Sequence, residues 1–114
     1  SAIHPLQPLS TVPGALQLMG ELSKWLSTLT GLPAVALSPA AGAHGELCGM
    51  LAIKAALAAQ GQGHKTVVLT PESAHGTNPA TAAACGFEIV TVPAEPNGRV
   101  SLAAIRQRLD DSVA

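Results

Sequence analysis

Two short stretches of small and polar residues carry the side chains able to do chemistry. Ser38-Pro39-Ala40-Ala41-Gly42-Ala43-His44-Gly45-Glu46 joins a short apolar run, Ala34–Leu37, to a long alanine-rich helical pattern, Leu47–Gln60. A small-residue turn opening a helix leaves backbone N–H groups unpaired where the helix dipole is positive, which suits an anion such as phosphate. Ala41, Gly42 and Ala43 have little or no side chain, so their amides can approach an anion closely. The same residues equally suit a tight strand-to-helix turn that binds nothing. Ser73-Ala74-His75-Gly76-Thr77-Asn78-Pro79 follows the next apolar run. His75 there can stack on a planar heterocycle, act as acid or base near neutral pH, or simply bond to backbone. His44 either lines the same cleft or stands partly exposed. Glu46 is most simply a complement to the helix dipole. Thr77 and Asn78 either bond a ligand or begin the next helix as caps.

The elements that must position these turns follow from periodicity. Residues 1–13 hold three prolines and no period, which predicts an extended segment. Leu16, Met19, Leu22, Leu26 and Leu29 mark one face of a helix over 15–30, with Gly31 as its stop. Ala34–Leu37 reads as a short strand. Leu47, Met50, Ile53 and Leu57 form the stripe of a second helix that ends in Gly61-Gln62-Gly63. Thr66–Thr70 is a continuous apolar run, as in a strand covered on both faces. A short helix over Pro79–Cys85 stops at Gly86, and Phe87–Val92 is the next strand. Asn97-Gly98 signals a turn, Ser101 an N-cap, and Leu102, Ile105 and Leu109 a last helix. Strands alternating with helices predict an α/β fold with a parallel-type sheet and flanking helices. In such sheets ligands bind beyond the carboxyl ends of the strands, where both turns fall.

Composition narrows the function classes. Of 114 residues, 47% are hydrophobic and only 11% charged, well below the roughly 25% of an ordinary soluble domain. So little polar surface predicts that much of the chain is buried against further chain or a partner subunit. The net charge is −1 with no basic cluster, which argues against nucleic acid and against polybasic membrane attachment. No apolar run approaches the ~20 residues of a membrane span. Cys48 and Cys85 sit singly and read as free buried thiols. The histidines lack metal-ligand spacing, so no metal site is expected, and His4 and His64 look peripheral. Neither a phosphate loop of the Gly-x-x-x-x-Gly-Lys-Ser/Thr type nor a Gly-x-Gly-x-x-Gly turn is present.

Taken together, residues 38–46 and 73–81 resemble the P-protein of the glycine cleavage system, glycine dehydrogenase (decarboxylating). The likeness extends over the whole chain, through His4-Pro5-Leu6-Gln7-Pro8, Gly14-Ala15-Leu16-Gln17-Leu18-Met19 and Asn97-Gly98-Arg99-Val100. It is greatest to the C-terminal half of the single-chain enzyme or to subunit 2 of the two-subunit form. The resemblance implies a fold type I, aspartate-aminotransferase-like pyridoxal-phosphate domain, of which residues 1–114 are a fragment. It implies that Ala41, Gly42 and Ala43 hold the cofactor phosphate. His75 then stacks on the pyridine ring as the catalytic residue, and Thr77 contacts cofactor or substrate. Glycine is the implied substrate, and the lipoylated H-protein and the remainder of the P-protein, or its other subunit, are the implied partners. The implied location is the cytoplasm of a bacterium or the mitochondrial matrix. Three departures stand out. Pro13 and Gly20 replace the usual Gln and bulky aromatic, and none of Lys24, Lys54 and Lys65 sits in a turn after a strand, where the covalent lysine belongs. The competing readings are another fold type I enzyme, an amino-acid decarboxylase or desulfurase-like transferase, and a non-catalytic assembly remnant.

Overall fold

The computed structural model describes residues 3, 4 and 6–114. The chain divides into two units, Ser1–Ser38 and Pro39–Ala114. In the first unit the residues before the helix are not simply extended. The His4 amide donates to Gln7 Oε1 at 2.8 Å, Gln7 Nε2 donates to Thr11 Oγ1 at 2.6 Å, and the Thr11 hydroxyl donates to the Pro8 carbonyl at 2.6 Å. These local side-chain bonds pull Leu9–Thr11 into a single 3-10 turn. The extended reading at Ser1, Ala2 and Pro5 lies outside the described residues.

Helix α1 spans Pro13–Thr30. Pro13 stands in its first turn, where a missing N–H costs nothing. Gly31 ends it at φ 71°, a left-handed conformation that glycine adopts without penalty. Gly20 lies mid-helix with open space where a side chain would stand. The stripe predicted over 16–29 exists, but no residue of α1 is buried, and Leu29 is 82% exposed. The expected strand at Ala34–Leu37 does not form. A strand is completed by a neighbour that pairs its backbone groups, and no described segment pairs with these four.

The second unit holds α2 (Gly42–Ala59), β1 (Val67–Pro71), α3 (Thr77–Ala84), β2 (Glu88–Val92) and α4 (Leu102–Arg108). It is an α/β arrangement around a two-stranded parallel sheet, with Val67 opposite Glu88 and Pro71 opposite Val92. Helix α3 is the crossover that parallel pairing requires. Two helix starts differ from expectation. Helix α2 begins at Gly42, not at Leu47, so most of the first small-residue turn is already helical. Helix α3 begins at Thr77, not Pro79, with Gly76 in the N-cap position, so neither Thr77 nor Asn78 caps it.

Ala82, Cys85 and Phe87 form the buried cluster, with Met50 and Leu57 of α2 and Val68 and Ile89 of the strands packed on it. Cys85 is buried as expected, whereas Cys48 is exposed on α2. Helix α2 is apolar around its circumference, yet Leu51 and Ile53 remain about half exposed. Ser101 does cap α4, its Oγ accepting from the Ala104 amide at 3.3 Å. Among the described residues no helix is long and apolar enough to cross a membrane.

Gly86 turns the chain from α3 into β2 at φ 81°. A Cβ there would lie 2.9 Å from Lys54 Nζ. That ammonium donates to the Cys85 carbonyl at the end of α3 and sits 5.7 Å from the centre of the Phe87 ring. The charge thus satisfies an orphan carbonyl at the negative end of the helix dipole. Gly86→Ala is expected to cost about 1–2 kcal/mol from the left-handed backbone alone, plus the displaced lysine. Urea unfolding measures the sum. In a Lys54→Ala background the cost should shrink to the backbone part, and an unchanged cost there would refute the contact.

Residues 112–114 line the other edge of β1. The Val67 amide donates to the Ser112 carbonyl at 3.0 Å and the Ala114 amide to the Val67 carbonyl at 2.9 Å. Asp111 secures this tail through His64 Nε2 at 2.8 Å and Lys65 Nζ at 3.5 Å. The hydrogen bond from His64, and then the nearby His64 and Lys65 charges, hold the Asp111 carboxyl below the usual carboxylate range. A carboxyl depressed by folding stabilises the fold above its unfolded pKa and loses that effect as pH falls through the folded value. A carbonyl-carbon NMR titration should place the Asp111 midpoint below that of free aspartate, and His64→Ala should move it back up.

Candidate functional site

The first turn of α2 presents a row of free donors. Ala41, extended at φ −151° and ψ 164°, occupies the N-cap position and offers no side-chain acceptor. The Gly45 amide is taken by the Ala41 carbonyl at 3.1 Å. The amides of Gly42, Ala43 and His44 have no acceptor among the described residues. A Cβ built on Gly42 or Gly45 meets nothing within 4 Å, so no side chain closes over these donors. His44 is exposed beside them.

The second turn leaves the end of β1 and runs into α3. His75 lies two residues before Thr77, and its Nδ1 is 2.7 Å from Thr77 Oγ1. The Thr77 hydroxyl donates to Glu46 Oε1 of α2 at 3.2 Å. Glu46 lies four residues after Gly42, about 6 Å along the helix axis. Through Glu46, therefore, the donor end of α2 is tied to the turn that carries His75. Taking Glu46 as a dipole complement alone misses this role. No local signal reports it, because the contact spans 31 positions. Glu46 Oε2 is buried with no hydrogen-bond partner, an acceptor left in want of a donor.

A groove of about 460 Å³ runs along β1 between α2 and α3. Met50, Ile53, Val68 and Leu69 make it apolar, and Glu46 is its charged lining residue. His75, Thr77 and residues 41–43 do not line it. The chemistry-bearing side chains therefore stand at one end of the groove, joined to it by Glu46.

The donor set fits a phosphorylated cofactor: three unpaired amides at a positive helix end suit a phosphate dianion. It supplies no covalent anchor, since Lys54 is bonded to the Cys85 carbonyl and Lys65 to the Val113 carbonyl at 3.2 Å. Lys24 lies in α1, in the other unit.

No protein-family model matches the chain. Individual relatives do. A probable glycine dehydrogenase (decarboxylating) subunit 2 from Caulobacter vibrioides is 62% identical over 114 residues, covering all of this chain and 22% of the relative. Proteins described in the same words from Desulforamulus reducens and Chlorobium chlorochromatii are 54% and 52% identical, over 98% and 100% of this chain and 23% and 24% of theirs. Along its whole length the chain is similar to a stretch of these subunit 2 proteins. It spans between a fifth and a quarter of the length of these relatives. The match runs through both small-residue turns, so the glycine dehydrogenase subunit 2 resemblance carried by 38–46 and 73–81 extends over the chain as expected.

Proposed function

We propose that this chain is the part of a pyridoxal-phosphate-dependent glycine decarboxylase that holds the cofactor's phosphate and ring. In this reading residues 1–114 belong to the cofactor-binding large domain of a fold type I enzyme. The observation that carries it is the pairing of three free α2 amides with His75 through Glu46 and Thr77. Gly42, Ala43 and His44 bind the phosphate through their N–H groups, with Ala41 setting the extended entry to the helix. His75 presents its ring to the pyridine face, and Thr77 fixes that ring from behind. Pyridoxal phosphate, when bound, supplies the electron sink for loss of the glycine carboxyl group. The covalent lysine and the acid facing the pyridine nitrogen come from elsewhere in the enzyme, because Lys54 and Lys65 are engaged structurally. The aminomethyl group passes to the lipoyl arm of the H-protein, and the exposed apolar faces of α1 and α2 meet the rest of the P-protein or its other subunit. The setting is the bacterial cytoplasm or the mitochondrial matrix.

A graft tests this reading. These 114 residues replace the matching region of the Caulobacter vibrioides relative, which is then assembled with its other subunit and lipoylated H-protein. The graft should exchange labelled bicarbonate into the carboxyl group of glycine, and His75→Ala should abolish the exchange. A folded graft that carries no exchange would instead favour the assembly-remnant reading.

A further inference from the structure

The three-residue contact at the end of β1 contains more acceptors than protons. His75 Nδ1 lies 2.7 Å from Thr77 Oγ1 and is also within reach of the Thr77 amide, an N–H donor at 3.2 Å, while Thr77 Oγ1 lies 3.2 Å from Glu46 Oε1. The threonine hydroxyl has one hydrogen and cannot serve both the imidazole and the carboxylate. If it serves Nδ1, a carboxylate at Glu46 has no donor on either oxygen, because Oε2 is buried without a partner. A charged carboxylate left with no donor on either oxygen is costlier than a neutral hydroxyl or amide that loses one partner. If it serves Glu46, its oxygen accepts from a proton on Nδ1, and the shortest contact in the set becomes a hydrogen bond, in exchange for the longer one from the Thr77 amide to Nδ1.

We infer that Glu46, acting through Thr77, is a positioning residue that holds His75 as the Nδ1–H tautomer and leaves Nε2 with a free lone pair. The chain of donors runs His75 Nδ1–H to Thr77 Oγ1, then Thr77 O–H to the Glu46 carboxylate. A histidine held by an oriented partner on one ring nitrogen has one defined tautomer and ring direction. The inference deepens the proposed cofactor site and rests on it for its functional meaning: His75 would offer an acceptor, not a donor, to whatever lies beyond its ring. A neutral, protonated Glu46 would reverse every bond in the chain and place the proton on Nε2.

Nitrogen NMR of the histidine-labelled full chain, with the graft as a second host, distinguishes the two. His75 is assigned by its loss in His75→Asn. The expected result is a protonated Nδ1 and an unprotonated Nε2. Thr77→Val removes the hydroxyl and leaves the backbone amide at position 77 to donate to Nδ1, so the two nitrogen resonances should exchange their positions. Glu46→Ala should do the same by freeing the hydroxyl for Nδ1. Thr77→Ser should keep the original pattern, which a merely structural role for Thr77 would not require. Finding Nε2 protonated in the unaltered protein, or no exchange in Thr77→Val and Glu46→Ala, overturns the inference. The readout needs neither cofactor nor turnover, so it can fail while the graft still exchanges bicarbonate, or hold while the graft is inactive.

Discussion

Phe87→Ala should destabilise the second unit by about 3–5 kcal/mol, the usual result of deleting a buried aromatic ring. Phe87 is 6% exposed and lies in the cluster with Ala82 and Cys85. Few of the described residues are so thoroughly buried, and its two partners in the cluster are small. Its loss leaves a cavity facing Met50, Leu57, Val68 and Ile89, which belong to a helix and two strands held mainly by that cluster. Neighbours anchored in paired strands and an 18-residue helix cannot collapse into the space without breaking ladder or helix bonds. The ring also carries the ammonium of Lys54 at 5.7 Å, so that lysine loses one of its two supports. Against a total stability of roughly 5–15 kcal/mol for an ordinary domain, this is a large share. Urea unfolding followed by far-UV circular dichroism should show the midpoint fall sharply. Phe87→Leu, which refills much of the volume, should recover more than half of the loss. A stability change under about 1 kcal/mol for Phe87→Ala would mean that the cluster is not the core of this unit.

Ala43→Asp should act in opposite directions on the fold and on the cofactor. Ala43 is the second residue of α2, where the dipole and the unpaired amides favour negative charge. A carboxylate there should stabilise the helix by about 0.3–1 kcal/mol. The same carboxylate would face the phosphate that the site is proposed to hold. Two unit charges about 5 Å apart near a protein surface repel by about 3 kcal/mol, a hundredfold or more in affinity. Cofactor titration of the graft, followed by absorbance, should show pyridoxal phosphate binding weakened by roughly that factor. Pyridoxal lacking the phosphate should bind almost as before. Equal weakening of both would place the phosphate elsewhere, and a drop in melting temperature would mean that the side chain disturbs α2 itself.

Part of the candidate site is legible in the amino-acid order. Ala41, Gly42 and Ala43 point to an anion site because unpaired amides follow from a helix start and from small side chains, both local properties. His75 and Thr77 stand out by type and by their place after a strand. What links the two turns is not legible. Glu46 and Thr77 are 31 positions apart, and their contact depends on how α2 lies against α3. The exact starts of α2 and α3 are equally hidden, since neither start carries a side-chain cap to mark it.

Local conformation is the part that the amino-acid order determines by itself. Gly31, Gly86 and Gly98 all take positive φ, 71°, 81° and 79°, at the stops and the turn where a glycine is expected to do so. Ser101 caps α4 because a hydroxyl and an amide three residues on need only each other. Pairing is decided by the tertiary structure. Val67–Pro71 and Glu88–Val92 become strands because α3 brings them side by side, whereas Ala34–Leu37 stays unpaired. A backbone hydrogen bond in a sheet needs a partner distant in sequence, and no property of four residues supplies one.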